Sequence, residues 1–274
     1  MILGLDPGRV AVMGIVNVTP DSFSDGGTLS GPDAARARAE AMVKAGADIL
    51  DIGGESTRPG AETVPVPEEI ARVVPAIEAI RAAGIATPIS VDTRKAEVAR
   101  AALAAGADMV NDVSALTWDA DMAAAVAEAG CPVCLMHAKG TPQTMQADPT
   151  YDDVTAEVRD YLLDAAARAQ AAGIARERIV LDPGIGFGKT QDHNLTLLRD
   201  LRTFAELGYP LLLGASRKRF VGTITRVERA DARLAGSLAV ALHAAAHGAT
   251  ILRVHDVAET AQALAMARAI GESR

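Results

Sequence analysis

The chain has 274 residues, a formal net charge of -8, 49% hydrophobic residues and only 3% aromatic ones. The acidic balance argues against a nucleic-acid groove or an anionic membrane surface as the main partner, and no apolar run is long enough to span a bilayer. The N-terminus lacks a basic n-region before an apolar stretch, so no signal peptide and a cytoplasmic protein are expected.

Val10–Val18 reads as the first strand, ending around Asn17. The segment after it, TPDSFSDGGTL (Thr19–Leu29), is longer than a connection needs and mixes Pro and Gly with functional side chains. A helix over Pro32–Ala45 leads into DILDIGGES, which holds Asp51 and runs to Glu55. A second long loop, Ser56–Pro67, precedes a helix over Glu68–Ala82. PISVDT ends in Asp92, a helix spans Lys95–Ala104, and MVNDVS holds Asn111 and Asp112. After a helix over Asp121–Ala129, CPVCLMH ends in His137. Its Cys131 and Cys134 lie three apart in an apolar strand, where side chains point to opposite faces, so they read as packed thiols rather than a metal or redox pair.

Helix Tyr151–Ala171 leads to Ile179–Leu181, a short apolar run ended by Asp182. Pro183 stops the ladder, and Gly184, Gly186 and Gly188 let the backbone turn sharply. A helix over His193–Leu207 follows, then LLLGASRKRF with Ser216, Arg217 and Lys218. A helix over Asp231–Ala246, the strand ILRVHD with Arg253 and His255, and a helix over Val257–Ile270 complete the chain. Seven helical stretches end in a glycine (Gly46, Gly84, Gly106, Gly130, Gly173, Gly208 and Gly248), the residue that closes a helix in the left-handed conformation.

Eight strand–helix units in this length predict a (β/α)8 TIM barrel, a single α/β domain over residues 1–274. An open doubly wound sheet is the competitor; the absence of an early G-x-G-x-x-G turn and of a mid-chain break favours the barrel. All eight strands lose their apolar character at the carboxyl end. Polar groups buried there cost free energy unless matched, and barrel active sites are built at that end. A polar substrate site at the mouth is therefore expected, with the two long loops as lids over it and Phe23 closing on a ligand.

Eight separate motifs carry a resemblance: GIVNVTPDSFSDGG (Gly14–Gly27), DIGGESTRPGA (Asp51–Ala61), SVDT (Ser90–Thr93), NDVS (Asn111–Ser114), LMHAKGTPQTMQ (Leu135–Gln146), LDPGIGFGKT (Leu181–Thr190), GASRKRF (Gly214–Phe220) and RVHDV (Arg253–Val257). In this order they closely resemble dihydropteroate synthase, the folate-pathway enzyme targeted by sulfonamides. The family pattern often has Met-Arg where Ala138 and Lys139 stand. Methyltetrahydrofolate-binding barrels share the fold and pterin recognition but are not expected to carry the two long loops or the SRK segment. A pterin-binding paralogue without activity and a corrinoid-linked methyltransferase domain are the alternatives.

The resemblance implies condensation of 6-hydroxymethyl-7,8-dihydropterin pyrophosphate with p-aminobenzoate to 7,8-dihydropteroate, with Mg2+. It assigns the pterin to Asp92, Asn111, Val113, Met136, Asp182, Phe187, Gly214, Lys218 and Arg253. Asp182 is the residue expected to accept from the ring N–H and exocyclic amine together. Pyrophosphate falls to Asn17, Arg58, Arg253 and His255, with Asn17 the one protein ligand of Mg2+, an ion that keeps few such ligands. The p-aminobenzoate and lid set is Asp21, Phe23, Ser24, Thr57, Arg58, Pro59, Phe187, Ser216 and Lys218. The residues expected to carry catalysis are Asp92, Asp182, Lys218, Arg253 and His255. A two-metal hydrolase reading of the acidic residues is the weaker alternative. His137 and His193 read as structural, Trp118 and Tyr151 as packing or surface residues, and Asp51, Glu55 and Asp112 as either ligands or supports of the mouth. A homodimer is expected from the family.

Overall fold

The computed structural model describes residues 2–6, 8–19, 31–56, 60–140, 144–145 and 149–272. Eight strands, β1 (Ala11–Asn17), β2 (Ile49–Gly53), β3 (Ile89–Asp92), β4 (Met109–Asp112), β5 (Val133–Met136), β6 (Ile179–Asp182), β7 (Leu212–Leu213) and β8 (Ile251–Val254), form one parallel sheet. They are ordered β6-β5-β4-β3-β2-β1-β8-β7, so β1 lies between β2 and β8. A parallel bridge between Leu181 and Leu211, with Leu181 N–H donating to Pro210 O at 2.9 Å, joins the two ends of that order and closes the barrel.

The helices follow the strands in turn: α1 (Gly31–Lys44), α2 (Val66–Ala82), α3 (Ala96–Ala104), α4 (Met122–Ala129), α5 (Val154–Ala171), α6 (Gln191–Arg199), α7 (Leu201–Ala205), α8 (Arg219–Thr225), α9 (Leu234–Ala246) and α10 (Val257–Glu272). All seven glycines expected to close helices have positive φ, from 60° at Gly130 to 111° at Gly106. The single helix expected over His193–Leu207 is two. Asp200 leaves helical geometry (φ -93°, ψ 20°), and its carboxylate accepts from Arg199 and from Thr155 Oγ1 at 2.9 Å. Helix α5 starts three residues later than expected, because Asp153 caps it, accepting from the N–H groups of Thr155 and Ala156 at 3.0 Å.

Alternation along the strands builds two cores. Outward residues such as Val12, Leu50, Val91, Val110 and Leu181 join the helices in the larger one. Inward residues Ala11, Met13, Ile49, Met109, Cys134, Val180, Leu212 and Ile251 pack with Ile2 inside the barrel. Cys131 belongs to the outer core and Cys134 to the inner; burial pushes both thiols up, the inner one well above its usual range. On four strands the inward position changes character two residues along: Asp51 follows Ile49, Asn111 follows Met109, Asp182 follows Val180 and Arg253 follows Ile251. The register Asn17–Gly53–Asp92–Asn111 carries that polar layer across four strands. No helix among the described residues is long and apolar enough to cross a membrane.

Candidate active site

Arg253 organises one side of the mouth. Its Nε donates to Asp51 Oδ2 at 2.6 Å and its Nη2 to Asp92 Oδ2 at 2.7 Å. Asn111 Nδ2 reaches the same Asp51 oxygen at 3.4 Å. Burial opposes the Arg253 charge, but the two carboxylates outweigh it and raise the guanidinium above its ordinary range. Burial pushes the Asp92 carboxyl up to about 7, against the pull of Arg253. Among the described residues, Asp51 Oδ1, Asp92 Oδ1, Ser90 Oγ and, beside the mouth, Glu69 Oε1 are buried without a hydrogen-bond partner. An unmatched buried acceptor is a liability for folding alone, and it is what a site made for an N–H-rich ligand would retain.

Asp182 and Lys218 organise the opposite side. Asp182 is 5% exposed, and its Oδ1 accepts from Gly184 N–H at 2.7 Å. Burial raises its pKa, and Lys218 pulls the other way. Lys218 Nζ donates to Ile185 O and sits 4.5 Å from the centroid of the Phe187 ring. Burial lowers the Lys218 ammonium to about 8, with Asp182 opposing. A Cβ on Gly214 would stand 3.8 Å from Arg253 Cβ and 4.0 Å from Asp182 Oδ2, so the glycine keeps open the space between the two sides. Met136 pairs with Asp182 in register and is 3% exposed, while Val113 and Phe187 are half-buried at the same mouth.

Towards β1 and β8 the groups are Asn17, Ser216 and His255. A Cβ on Gly53 would lie 3.6 Å from Asp92 Cβ and 3.7 Å from Asn17 Oδ1, so both side chains border the space that the glycine leaves open. Ser216 Oγ accepts from His255 N–H at 3.2 Å and lies 3.1 Å from His255 Nδ1. Arg217, at φ 59°, turns its guanidinium to Asp256 and so directs Lys218 into the barrel. Asp21, Phe23, Ser24, Thr57, Arg58 and Pro59 lie outside the described residues.

Residues 13–255 match the family of pterin binding enzymes. Dihydropteroate synthase of Escherichia coli (strain K12) is 51% identical over 265 residues, covering 97% of this chain and 93% of that one. The chain belongs to the dihydropteroate synthases. The Xanthomonas albilineans dihydropteroate synthase solved with 4-aminobenzoic acid superposes with a TM-score of 0.93 at 51% identity, over 98% of this chain and 96% of that one. The same organism's enzyme in complex with 7,8-dihydropteroate gives 0.90 at 48% identity, over 98% and 97%.

Within this family's fold, several expected residues are supports. His193 completes the capping box of α6 with Thr190. Asp112 is fully buried on the outward face and binds its own turn, accepting from Ser114 N–H at 2.8 Å and Leu116 N–H at 2.9 Å. Trp118 is 46% exposed with the Arg94 guanidinium 3.7 Å over its ring, and the Tyr151 hydroxyl donates to Gly188 O at 2.7 Å.

Two groups were not anticipated from the sequence: the partners of Glu55, itself read there as either a ligand or a support of the mouth, and a buried lysine. Glu55 accepts from Arg94 Nη2 at 2.7 Å, from Lys95 Nζ and from Val64 N–H at 2.9 Å, and Lys95 also binds Glu69. Burial pushes Glu55 up, but these donors outweigh it and hold the carboxyl below its usual range. This buried quartet ties the start of the β2–α2 loop to its end. Its only sequence sign was the basic pair directly after SVDT. The second is Lys189, 3% exposed, at the end of the glycine-rich loop.

The family implies Mg2+. Among the described residues no group of three or more His, Cys, Asp and Glu could hold a metal ion. Asn17 supplies one oxygen at the space beside Gly53, a donor set that fits an ion retaining most of its water and substrate ligands.

Proposed function

We propose that this chain joins p-aminobenzoate to 6-hydroxymethyl-7,8-dihydropterin pyrophosphate, forming 7,8-dihydropteroate and releasing pyrophosphate. Its family membership supports that reading. So does the convergence of Asp92, Asn111, Asp182, Lys218 and Arg253 on one inward-facing layer, the observation that carries it.

The pterin is flat, with an amino-pyrimidinone edge that donates two N–H groups side by side. Asp182 accepts both, a paired match that rejects rings lacking either donor. Asp92 and Asn111 meet the other edge, and Lys218 donates to the ring carbonyl and nitrogen. Met136, Phe187 and Val113 form the apolar walls and floor, with Gly214 leaving room for the ring. Arg253, held rigid by Asp51 and Asp92, offers the outer face of its guanidinium to the ring and its charge to the leaving group.

Pyrophosphate then lies towards Asn17, His255 and Arg253, with Arg58 joining from its loop. Asn17 would hold Mg2+, which would supply charge neutralisation for the leaving group when bound. The C–O bond breaks first, and the electron-rich dihydropterin stabilises the cation left at its methylene carbon. The aniline nitrogen attacks that carbon and then loses a proton, so no covalent enzyme intermediate is needed. The carboxylate of p-aminobenzoate is met at Ser216 and the turn into α8. Asp21, Phe23, Ser24, Thr57, Arg58 and Pro59 close over the mouth and keep water from the cation. The working enzyme is a cytoplasmic homodimer, and light scattering at micromolar concentration checks the assembly.

The test is pyrophosphate release from the dihydropterin pyrophosphate with Mg2+, with and without p-aminobenzoate. Release that depends on p-aminobenzoate, with dihydropteroate formed, is expected. Tight pterin binding by calorimetry with no dihydropteroate would make the chain a pterin-binding protein instead.

A further inference from the structure

The loop from Asp182 to Lys189 has almost no regular backbone pairing, so its carbonyls need partners elsewhere. Side chains supply them. Ile185 O takes Lys218, Gly188 O takes the Tyr151 hydroxyl at 2.7 Å, and Lys189 Nζ takes Gly184 O at 2.9 Å and Phe187 O at 3.0 Å. The Lys189 ammonium also stands 2.8 Å from His137 Nδ1 and 3.4 Å from His137 O. With His137 Nδ1 unprotonated, the three partners within 3.0 Å match the three N–H donors of an ammonium; a neutral amine would match them only if His137 carried its proton on Nδ1 and donated it. Burial pushes the Lys189 ammonium well below its ordinary range, with Asp182 opposing, and among the described residues Lys189 has no carboxylate in a salt bridge. A buried cation matched chiefly by neutral acceptors costs stability that an apolar side chain of equal length would not. What it gathers is the loop on which Asp182 and Phe187 sit.

The loop has little freedom to adopt another shape. A Cβ on Gly184 would fall 1.9 Å from His137 O, and one on Gly188 2.3 Å from Lys139 O. The turn therefore lies directly against the end of β5, and His137 N–H donates back to Asp182 O at 3.0 Å. The His137 ring is held edge-on by Tyr161 at 4.8 Å.

We propose that Lys189 is a positioning residue for pterin recognition: its ammonium, enclosed by Gly184 O, Phe187 O and His137 Nδ1, holds the loop in the shape that presents Asp182, Ile185 O and Phe187 around Lys218. This rests on the reading of Asp182 as the pterin acceptor. Because an ammonium can only donate, His137 must be the neutral tautomer with its proton on Nε2.

Nitrogen-15 histidine spectra of the wild-type protein at neutral pH test the geometry without any variant. The ring assigned to His137 is expected with an unprotonated Nδ1 and an Nε2–H, and its signals, unlike those of His193, whose Nδ1 accepts from Thr190 N–H, should shift in Lys189→Met. Assignment of His137 as the Nδ1–H tautomer or as imidazolium would overturn the proposal, whether or not the variant folds. In folded Lys189→Met, calorimetry with dihydropterin pyrophosphate should show about 100-fold weaker binding, the scale set by ångström-level misplacement. Because Phe187 and Lys218 also stand in the p-aminobenzoate set, the KM for p-aminobenzoate at saturating pterin should rise, but by less than about tenfold, a split that loss of active protein alone cannot produce. Unchanged pterin affinity in the folded variant would refute the positioning role. A wild-type protein that binds no pterin would instead remove the functional reading and leave the histidine tautomer standing.

Discussion

The two inward layers of the barrel are built on the same strands, one step apart. The lower layer is apolar: Met13, Ile49, Met109, Val180 and Ile251 are at most 1% exposed and pack in one cluster with Ile2. In the upper layer, Asp51, Asn111 and Asp182 are at most 5% exposed and Arg253 is half-buried, yet the layer holds charge, and Asp51 Oδ1 and Asp92 Oδ1 have no partner among the described residues. Burial alone therefore does not separate stabilising residues from chemical ones. The difference lies in whether each polar atom finds its partner inside the protein. Glu55, Arg94, Lys95 and Glu69 sharpen the point: they are buried charges beside the mouth that largely satisfy one another, and so they brace a loop.

If the layers divide in this way, substitutions should separate activity from stability. The largest effect is expected in the upper layer. Asp182→Asn removes the paired acceptor and should lower kcat/KM for the pterin substrate about 1,000-fold or more, about 4 kcal/mol of transition-state stabilisation, with circular dichroism unchanged. Near-normal rates in this variant would end the assignment. In the lower layer Met109→Ala should behave oppositely, costing about 2–5 kcal/mol in urea unfolding while the folded fraction keeps its kcat. A parallel loss of kcat per folded molecule would show that the layers are coupled.

A smaller effect concerns Lys218. Burial lowers its ammonium to about 8, so kcat/KM for the pterin substrate should fall about tenfold per pH unit above that value, and Lys218→Arg should lose this alkaline limb. A flat profile between pH 7 and 9.5 would contradict the need for a charged Lys218.

The smallest effect concerns His137, pushed down to about 3 by burial and by Lys189, with Lys139 also nearby and the rings of Tyr151 and Tyr161 against it. Its unfolded value is about 6.5. Below that pH the unfolded chain binds a proton that the native state refuses, so this stabilisation is complete above pH 6.5 and is lost progressively down to about 3. Between pH 6.5 and 5 the wild type should lose about 2 kcal/mol more in urea unfolding than His137→Gln. Equal losses would show that His137 titrates normally.

How much of this could be read in advance differs from residue to residue. Asp182 announced itself, because a carboxylate ending a β-branched run before Pro-Gly is a local pattern with local causes. Asp92, Asn111 and Arg253 were legible for the same reason, each being a polar residue at an inward position where the apolar run of its strand ends. Ser216 was placed correctly at the mouth, but its hydroxyl is taken up by His255 from the next strand, a partner 39 residues away. Lys189 was passed over because a lysine after GFG looks like a solvated loop end. Only closure of the loop against β5 buries it.

The order of strands and helices, the seven left-handed helix ends and the polar rim were determined by the sequence itself. Each depends on residues within one or two turns of chain: alternation, a glycine after a helix, a break in an apolar run. The tertiary structure alone decided which buried charges are matched and which are left open. Arg253 lies 202 residues from Asp51, and Arg94 lies 39 from Glu55. Pairing over such separations follows from strand register and barrel closure, where a shift of one residue would turn every polar group to the other face.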